Sequence, residues 1–519
     1  MGREGLTAVA VYFVLVIGIG IWFFLKNLKH GGGEKDYFLG GREMGAWVSA
    51  LSAGASDMSA WVLMGLPGAI CCFGMGQIWI AIGLFAGTAA AWIIVAPALR
   101  RFSILARDAI TIPQFLTNRF LTKDRTLQTI AAVVFMTVYC VYTASSIYAC
   151  GVVFNTITGM NPPKAMFLAG IVIVFYTFLG GFSAVCWTDF FQGLLMLGAL
   201  MLAPILAFCI MQGGSFTAPD PALPPNYYSL LSGGGADFKS FTDIINGFGW
   251  GLGYFGMPHI LIRFFAIRSE REMRKSQIIG CSWIFVILAM AGVVGILGRN
   301  YLGKPADESA GQMVFIDMVK NVFTWLGNQT GLMEIMLFLA GLLLSAILAA
   351  SMSTADSQLL ASSSAFASDM YKPLLRSKAS DREMMWGGRI IVLVTAAAAC
   401  MIAASPNCRG IMSLVSCAWA AFGAAFGPVI LLALYWKRMT YRGAVAGMTA
   451  GFLTDAVWYA AKTYLAHPPV WLQIYEIIPG FFCGAAAAVL VSLLDKAPPP
   501  EVAALFDRAT LRWIKKRRN

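Results

Sequence analysis

The chain has 519 residues, of which 58% are hydrophobic and only 12% charged, against about 25% charged in an ordinary soluble domain. Apolar stretches long enough to cross a bilayer recur along its whole length, which excludes a soluble enzyme or binding module and predicts an all-α integral membrane protein. The net charge of +12 does not point to nucleic acid, because most Lys and Arg fall in alternate loops and in the C-terminal tail, a bias that reports orientation.

In chain order, the first apolar run covers residues 6–25. It has no basic n-region and no small-x-small cleavage site, and Lys26, Lys29, Lys35 and Arg42 follow it. It reads as a retained helix with its N-terminus outside. Residues 31–42 form a Gly-rich inner loop without the Lys-Ser/Thr end of a phosphate loop. A second span, 46–74, precedes a third at 77–99. The basic inner loop 100–125 carries an amphipathic piece at 112–120, and a fourth span covers 126–156. Asn161-Pro-Pro163 marks an outer turn. The fifth and sixth spans, 165–182 and 189–211, are expected to be joined by a short link containing Trp187, and the Gly- and Pro-rich stretch 212–239 reads as an outer loop. The seventh span starts near 241, the inner loop 267–277 follows, and the eighth reaches 302. An outer segment with Asp307, Glu308 and a short helix leads to the ninth span, 331–367. The basic inner loop 372–389, spans ten to thirteen (ending at 403, 434, 461 and 494) and a short basic tail complete the chain. About thirteen spans place the C-terminus inside.

The second span contains Ser52-Ala-Gly-Ala-Ser-Asp-Met-Ser-Ala-Trp61. A carboxylate at membrane depth costs roughly 2.5–3.5 kcal/mol even on lenient scales, so Asp57 needs a cation, a partner or water. The surrounding Ser, Gly and Ala let a helix open and expose carbonyl ligands. The same residues would also suit a helix-packing patch whose Asp pairs with a Lys or Arg. The seventh span contains Asn246-Gly-Phe-Gly-Trp-Gly-Leu-Gly-Tyr-Phe-Gly-Met-Pro-His259, in which five Gly and a Pro are expected to break or thin the helix. Each break opens a set of five spans, so the two sets have opposite topology. Broken helices at corresponding positions of inverted halves point to a transporter's midplane site, although Gly is common in membrane spans in any case. The expected division is 1–45, a leading helix and inner loop; 46–212, a first repeat of five helices; 213–239, an outer loop; 240–434, a second repeat; 435–494, two trailing helices; and 495–519, a basic cytoplasmic tail.

In the ninth span, Ala350, Ser353, Thr354 and Ser357 stand at i, i+3, i+4 and i+7 on one face. Two hydroxyls with carbonyls from a broken helix make an oxygen shell for a hard monovalent cation and offer no soft ligand. Ser and Thr runs also serve as hydrogen-bonding patches between helices. Asp189 and Asp356 suit a second cation site or a proton path, with Asp189 equally placed to cap a helix at the inner interface. Trp61, Tyr142, Trp250 and Tyr254 suit a small substrate with an apolar ring and a charged group, or plain packing. The eleven Cys and three His have no metal-ligand spacing, and no enzyme signature is present.

At these residues the chain resembles the sodium/solute symporter family. The resemblance is carried by Ser49-Ala-Leu-Ser-Ala-Gly-Ala-Ser-Asp-Met-Ser-Ala-Trp-Val-Leu-Met-Gly-Leu-Pro-Gly68, by Gly249-Trp-Gly-Leu-Gly-Tyr-Phe-Gly-Met-Pro-His-Ile-Leu-Ile-Arg-Phe264 and by Ala346-Ile-Leu-Ala-Ala-Ser-Met-Ser-Thr-Ala-Asp-Ser-Gln-Leu-Leu360, with Phe38-Leu-Gly-Gly-Arg42 and Trp187-Thr-Asp189 in support. It implies one leading helix, a five-plus-five inverted-repeat core with two broken helices, and two trailing helices. It implies a main sodium site at Ala55, Met58, Ala350, Ser353 and Thr354, the first three through or near backbone carbonyls. Asp57 matches the carboxylate required for sodium coupling, and Trp61, Tyr142, Trp250, Tyr254 and Pro258 match positions lining the substrate pocket. A second cation site of sialic-acid members matches Asp189, Ser353, Asp356 and Ser357. Two departures stand out: Met257 where the proline branch usually has Gln, and Asp356 where that branch often has Ser.

The implied activity is import of L-proline with sodium by alternating access across the cytoplasmic membrane. Sodium acts as coupling ion and there is no enzyme cofactor. The partners implied are L-proline, sodium and membrane lipid, with no nucleic acid and no obligate protein partner. The alternatives are a sodium- or proton-coupled symporter of another small solute, such as pantothenate or another carboxylate, and a proline receptor that moves nothing.

Overall fold

In hydrocarbon every backbone N–H and C=O must find its partner within the protein, so an apolar chain that spans a bilayer closes its bonds within helices. The computed structural model describes residues 2–30, 34–213, 219–232, 235, 237–406, 408 and 410–517. Among them there is no strand, only one parallel bridge between Met44 and Ile267. The helices are α1 (Gly2–His30), α2 (Glu34–Leu39), α3 (Ala46–Asp57), α4 (Leu66–Phe73), α5 (Ile78–Ala90), α6 (Ala96–Leu105), α7 (Ile112–Arg119), α8 (Thr126–Thr158), α9 (Pro162–Gln212) and α10 (Phe238–Leu252). They continue as α11 (Pro258–Ala266), α12 (Glu270–Leu302), α13 (Glu308–Gln312), α14 (Val314–Thr330), α15 (Met333–Ser364), α16 (Asp381–Ala403), α17 (Ile411–Tyr435), α18 (Tyr441–Tyr464), α19 (Ile477–Leu494) and α20 (Pro500–Arg517). Residues 31–33 of the expected inner loop, residues 214–218, 233, 234 and 236 of the expected outer loop, and the last two residues of the tail lie outside the described residues.

Among the described residues, nine helical stretches are long and apolar enough to cross a membrane, and ten when the bent pair Ala46–Asp57 and Trp61–Phe73 is one span. The chain is a multi-pass membrane protein. The expected count of thirteen is not reached by that measure. Its other three segments are helical but shorter, broken or more polar: Pro162–Phe178, α10 with α11, and α18. The innermost spans are α17, α15 and α8, while α1 and α19 are at the periphery.

The helix ends follow local chemistry. Ser380 caps α16 by accepting from the Glu383 N–H, and Thr111, Asp237, Ser269, Asp307 and Thr440 cap α7, α10, α12, α13 and α18 in the same way. Several loop expectations change. The loop 31–42 contains α2 and a tight turn at Gly40–Arg42. The tail contains α20, whose Val502, Leu505, Phe506 and Ala509 are buried at i, i+3, i+4 and i+7. The outer segment after α12 holds two helices, and α14 alone has 17 residues.

The link around Trp187 is absent. α9 runs on through it and kinks at Gly181, where φ is 63° and ψ is −166°. A side chain there would meet the Tyr37 ring at 2.9 Å, so both conformation and space require glycine. Asp189 therefore lies inside a helix, fully buried, and caps nothing.

The glycines of the seventh span do less breaking than their number suggests. α10 continues through Gly247, Gly249 and Gly251. Cβ atoms at Gly83 and Gly87 of α5 would overlap the carbonyls of Gly247 and Gly251, a small-xxx-small contact on both helices. Gly253 likewise leaves room for the Trp419 indole.

Candidate functional site

α3 stops at Asp57 because the next turn does not close. Met58 has φ −78° and ψ 71°, and the Ser59 N–H donates to the Asp57 carbonyl at 2.9 Å. In an unbroken helix that N–H would serve the Ala55 carbonyl. The Ala55 carbonyl is instead met from another helix, by Ser353 Oγ of α15 at 2.8 Å. Ser353 Oγ also lies 3.0 Å from the Ala350 carbonyl, and Thr354 Oγ1 donates to that same carbonyl at 3.1 Å. Four oxygens from Ala55, Ala350, Ser353 and Thr354 are thus drawn together, and buried Met58 follows directly at the break. The donor set is all oxygen and carries no formal charge, which suits a hard monovalent cation.

Asp57 joins the two breaks. It is fully buried, and its Oδ2 accepts from the Tyr254 hydroxyl in the second break. Its carbonyl accepts from Trp61 Nε1 at 3.1 Å. The second break spans the tight turn Gly253–Phe255 and Met257, after which Pro258 opens α11. No basic side chain is bonded to Asp57 among the described residues.

The aromatic residues assemble beside this junction. Trp61 and Trp250 stack at 6.4 Å and 27°, and Tyr142 packs edge-on against His259 at 6.0 Å. Trp61, Tyr142, Trp250, Tyr254 and Pro258 are all buried. Buried polar atoms here without a hydrogen-bond partner among the described residues include Asp57 Oδ1, Ser59 Oγ, Tyr142 Oη and His259 Nε2. Buried polar groups are almost always bonded, so such a group of orphans beside stacked rings fits a polar ligand with an apolar body.

Two further aromatics complete the wall and carry no local signal in the sequence. Trp419 of α17 donates from Nε1 to the Trp250 carbonyl at 2.8 Å and packs edge-on against Tyr254 at 5.1 Å. Tyr475, just before α19, lies 5.1 Å from Trp250 and bonds the Ser416 carbonyl at 2.7 Å. Beyond Trp250 and Tyr475 a cavity of about 600 Å³ opens at the end of the bundle where α4 ends, with Asn246, Ser416 and Lys462 on its walls.

The other pair of carboxylates forms a separate group. Arg263 of α11 is buried and lies 3.0 Å from Asp189 Oδ2. Its Nη2 also donates to Ser357 Oγ, its Nε to Ser52 Oγ at 3.1 Å and its Nη1 to the His259 carbonyl at 2.6 Å. Asp356 accepts from Tyr176 at 2.9 Å and from Ser357 at 3.1 Å. Asp189, Asp356 and Ser357 are therefore brought together around a guanidinium. Arg263 is not among the site residues that the sequence singles out. The signal available was its position four residues after His259, on the same face of a short helix as the second break.

At the end where α3 begins, the bundle is tied shut. Arg42 reaches Asp108 Oδ1 at 3.0 Å, Ser103 Oγ at 3.1 Å and the carbonyls of Phe265 and Ala109 at 2.8 and 2.7 Å. Lys35 holds the other Asp108 oxygen at 2.5 Å. Burial alone would raise the Asp108 carboxyl, but the neighbouring Lys35 ammonium and Arg42 guanidinium reverse the sign and hold it below the usual carboxylate range.

Comparison with known proteins agrees in family and fold. The sodium/proline symporter of Salmonella typhimurium is 42% identical over 510 residues, 96% of this chain and 95% of that one. The high-affinity proline transporter PutP of Bacillus subtilis is 42% identical over 498 residues, 95% of this chain and 98% of that one. The osmoregulated proline transporter OpuE of the same organism is 39% identical over 508 residues, 98% of each. A Na+-coupled sialic acid symporter, solved in a substrate-bound outward-open state, superposes with a TM-score of 0.75 over 96% of this chain and 99% of that one, at 18% identity, a likeness of fold. The profile of the Sodium:solute symporter family matches residues 37–451, and this chain belongs to that family.

Proposed function

We propose that the chain is a secondary active transporter that imports L-proline with sodium across the cytoplasmic membrane. The observation that carries the reading is the full-length identity of about 42% to proline transporters of two genera, with the motifs of both breaks on one buried junction.

In this reading sodium sits among Ala55, Met58, Ala350, Ser353 and Thr354 and replaces the Ser353–Ala55 hydrogen bond with ion–oxygen contacts. That ties α3 to α15 and fixes the opened turn. Asp57 supplies negative charge next to the ion and, through Tyr254, reports its presence to the second break. Proline lies between Trp61, Tyr142 and Trp250, with Tyr254 and Pro258 completing the pocket. Its ring meets the aromatic faces, and its charged groups meet the polar atoms that lack partners. Each ligand then raises the other's affinity by the same factor, as linkage requires.

The cavity beyond Trp250 and the tie at Arg42 and Asp108 support an outward-facing arrangement, with Arg42 on the cytoplasmic side. The N-terminus is then outside and the C-terminus inside. Residues 46–212 and 240–434 are the inverted repeats, flanked by the leading helix of 1–45 and the trailing helices of 435–494. At Asp189, Asp356 and Ser357 the positive charge comes from Arg263, so a second cation there must share or displace a guanidinium.

The test is labelled L-proline uptake into proteoliposomes under an inward sodium gradient, an equal potassium gradient, or a proton gradient alone. Accumulation with sodium only is expected. Accumulation with protons alone would move the coupling ion, and none under any gradient would reject the cargo.

A further inference from the structure

The first half of α9 and the helix α16 run antiparallel. Phe178 of α9 meets Trp386 near the start of α16 at 6.0 Å, and Pro163 and Ala404 line the far end. Between them lies a groove of about 840 Å³ on the outside of the bundle. Phe167, Ile171 and Phe175 form one wall, and Leu393, Ala397 and Met401 the other; every residue lining the groove is apolar. The two helices come close because Gly170 has no side chain, and a Cβ there would stand 2.8 Å from Cys400 Sγ. Phe167 and Met401 are 64% and 71% exposed, so the groove faces the lipid rather than the transport path.

The two ends differ. At the Phe178 end the guanidinium of Arg389 lies over Phe178 at 4.9 Å and Trp386 at 5.0 Å, with its Nε bonded to the Phe178 carbonyl at 3.1 Å. That cation is already held by the protein. At the other end Lys164 is exposed next to Pro163 and makes no ion pair among the described residues. It sits in the first turn of α9, where Asn161 offers no side-chain cap and the helix dipole favours an anion. From Pro163 to Phe178 the groove is about 22 Å long at 1.5 Å per residue. It therefore runs from one interface to beyond the middle of a hydrocarbon core about 30 Å thick.

We propose that this groove binds one acyl chain of an anionic phospholipid, with the phosphate at Lys164 and the first turn of α9. The chain end lies against the Phe178–Trp386 pair. An apolar slot with an exposed cation, Lys164, at its interfacial end matches an anionic lipid in both parts. A second copy of the protein on the same face fits less well, since a two-fold axis along the membrane normal would bring like patches, each with its Lys164, to the same depth. The inference rests on the membrane fold and holds whatever the cargo is.

The test is native mass spectrometry of the purified full chain, titrated with palmitoyl-oleoyl-phosphatidylglycerol, with the phosphatidylcholine of the same chains, and with glycerol 3-phosphate. Expected is one saturable phosphatidylglycerol adduct, at least fivefold stronger than the phosphatidylcholine adduct, with no binding of glycerol 3-phosphate. Ala397→Trp, which fills the slot, and Lys164→Gln, an exposed change that leaves packing alone, should each weaken that adduct at least fivefold. Should Ala397→Trp fail to fold, Lys164→Gln and the lipid comparison decide. Equal adducts in wild type and the folded variants overturn the proposal, as does equal binding of the two lipids. A dimer fraction that falls in Ala397→Trp while lipid binding stays constant would overturn it in favour of a contact between copies.

Discussion

Ser353 Oγ bonds the Ala55 carbonyl at 2.8 Å across 298 residues of sequence. It is the direct link between α15 and the opened turn of the first break. Removing the hydroxyl removes one cation ligand and leaves the Ala55 carbonyl without its cross-helix partner. Ser353→Ala should raise the sodium concentration for half-maximal proline binding about tenfold or more, equivalent to at least ~1.4 kcal/mol. Thr354→Ala should act in the same direction. Proline affinity at saturating sodium should change little. Sodium titrations of labelled-proline binding check this, and wild-type curves in both variants would remove the cation from these oxygens.

Tyr254 and Asp57 connect the two broken helices through one hydrogen bond. Tyr254→Phe keeps the ring and removes the donor, so both carboxylate oxygens of a fully buried Asp57 then lack a protein partner. Hydrogen bonds to charged groups contribute about 1.5–3 kcal/mol. Sodium and proline affinities should therefore fall together, each by about tenfold, whereas Trp61→Ala should weaken proline and spare sodium. Paired isotherms separate the two, and a Tyr254→Phe protein altered in neither ligand would show that the bond carries no coupling.

The chain's sequence makes the first half of this junction readable. Small residues around a lone carboxylate announce a break, and hydroxyls at i, i+3, i+4 and i+7 announce the face that meets it. It does not reveal what closes the pocket from a distance. Trp419 lies among alanines and glycines of α17, so no local polarity marks its indole as the partner of the Trp250 carbonyl. The glycines of α10 mislead in the opposite way. Breaking and close packing both select glycine, and only the position of α5 shows that Gly247 and Gly251 serve packing. The helix α20 was readable from its own i, i+3, i+4 spacing, but a basic tail after the last span invites no search for a core.

Arg263 and Asp189 are both almost fully buried and 3.0 Å apart. Breaking a buried pair on one side leaves an uncompensated charge and costs about 3–5 kcal/mol. Arg263→Gln should lower the apparent melting temperature in detergent, and Arg263→Gln with Asp189→Asn should recover at least half of the loss. The single variant also exposes Asp189, Asp356 and Ser357 to solvent cations. Its melting temperature should then rise more steeply with sodium than that of wild type. Additive losses in the double variant would argue against a coupled pair.

Gly253 is held against the Trp419 indole, where a methyl group would overlap the ring. Gly253→Ala should push the Trp419 indole out of its place beside Trp250 and Tyr254 and, through that clash, abolish measurable proline binding. Gly253→Ala with Trp419→Leu should restore part of it, because the smaller side chain yields the space. Binding lost equally in both would place the fault in the backbone of the turn rather than in the clash.

Asp108 is held below the usual carboxylate range by Lys35 and Arg42, and the sign of that shift fixes a pH window. A depressed carboxyl contributes stability that is fully present above its unfolded value, about 3.9. That stability is lost as pH falls through the lower folded value. The tie at the Arg42 end should therefore be constant from pH 8 to 5 and weaken only in stronger acid. Asp108 is 45% exposed, so solvent screening limits each ion pair to about 1 kcal/mol. The difference in melting temperature between wild type and Asp108→Asn should be small, flat between pH 5 and 8, and should shrink below about pH 4. A difference that changes between pH 5 and 8 would show that another group, rather than Asp108, titrates in the tie.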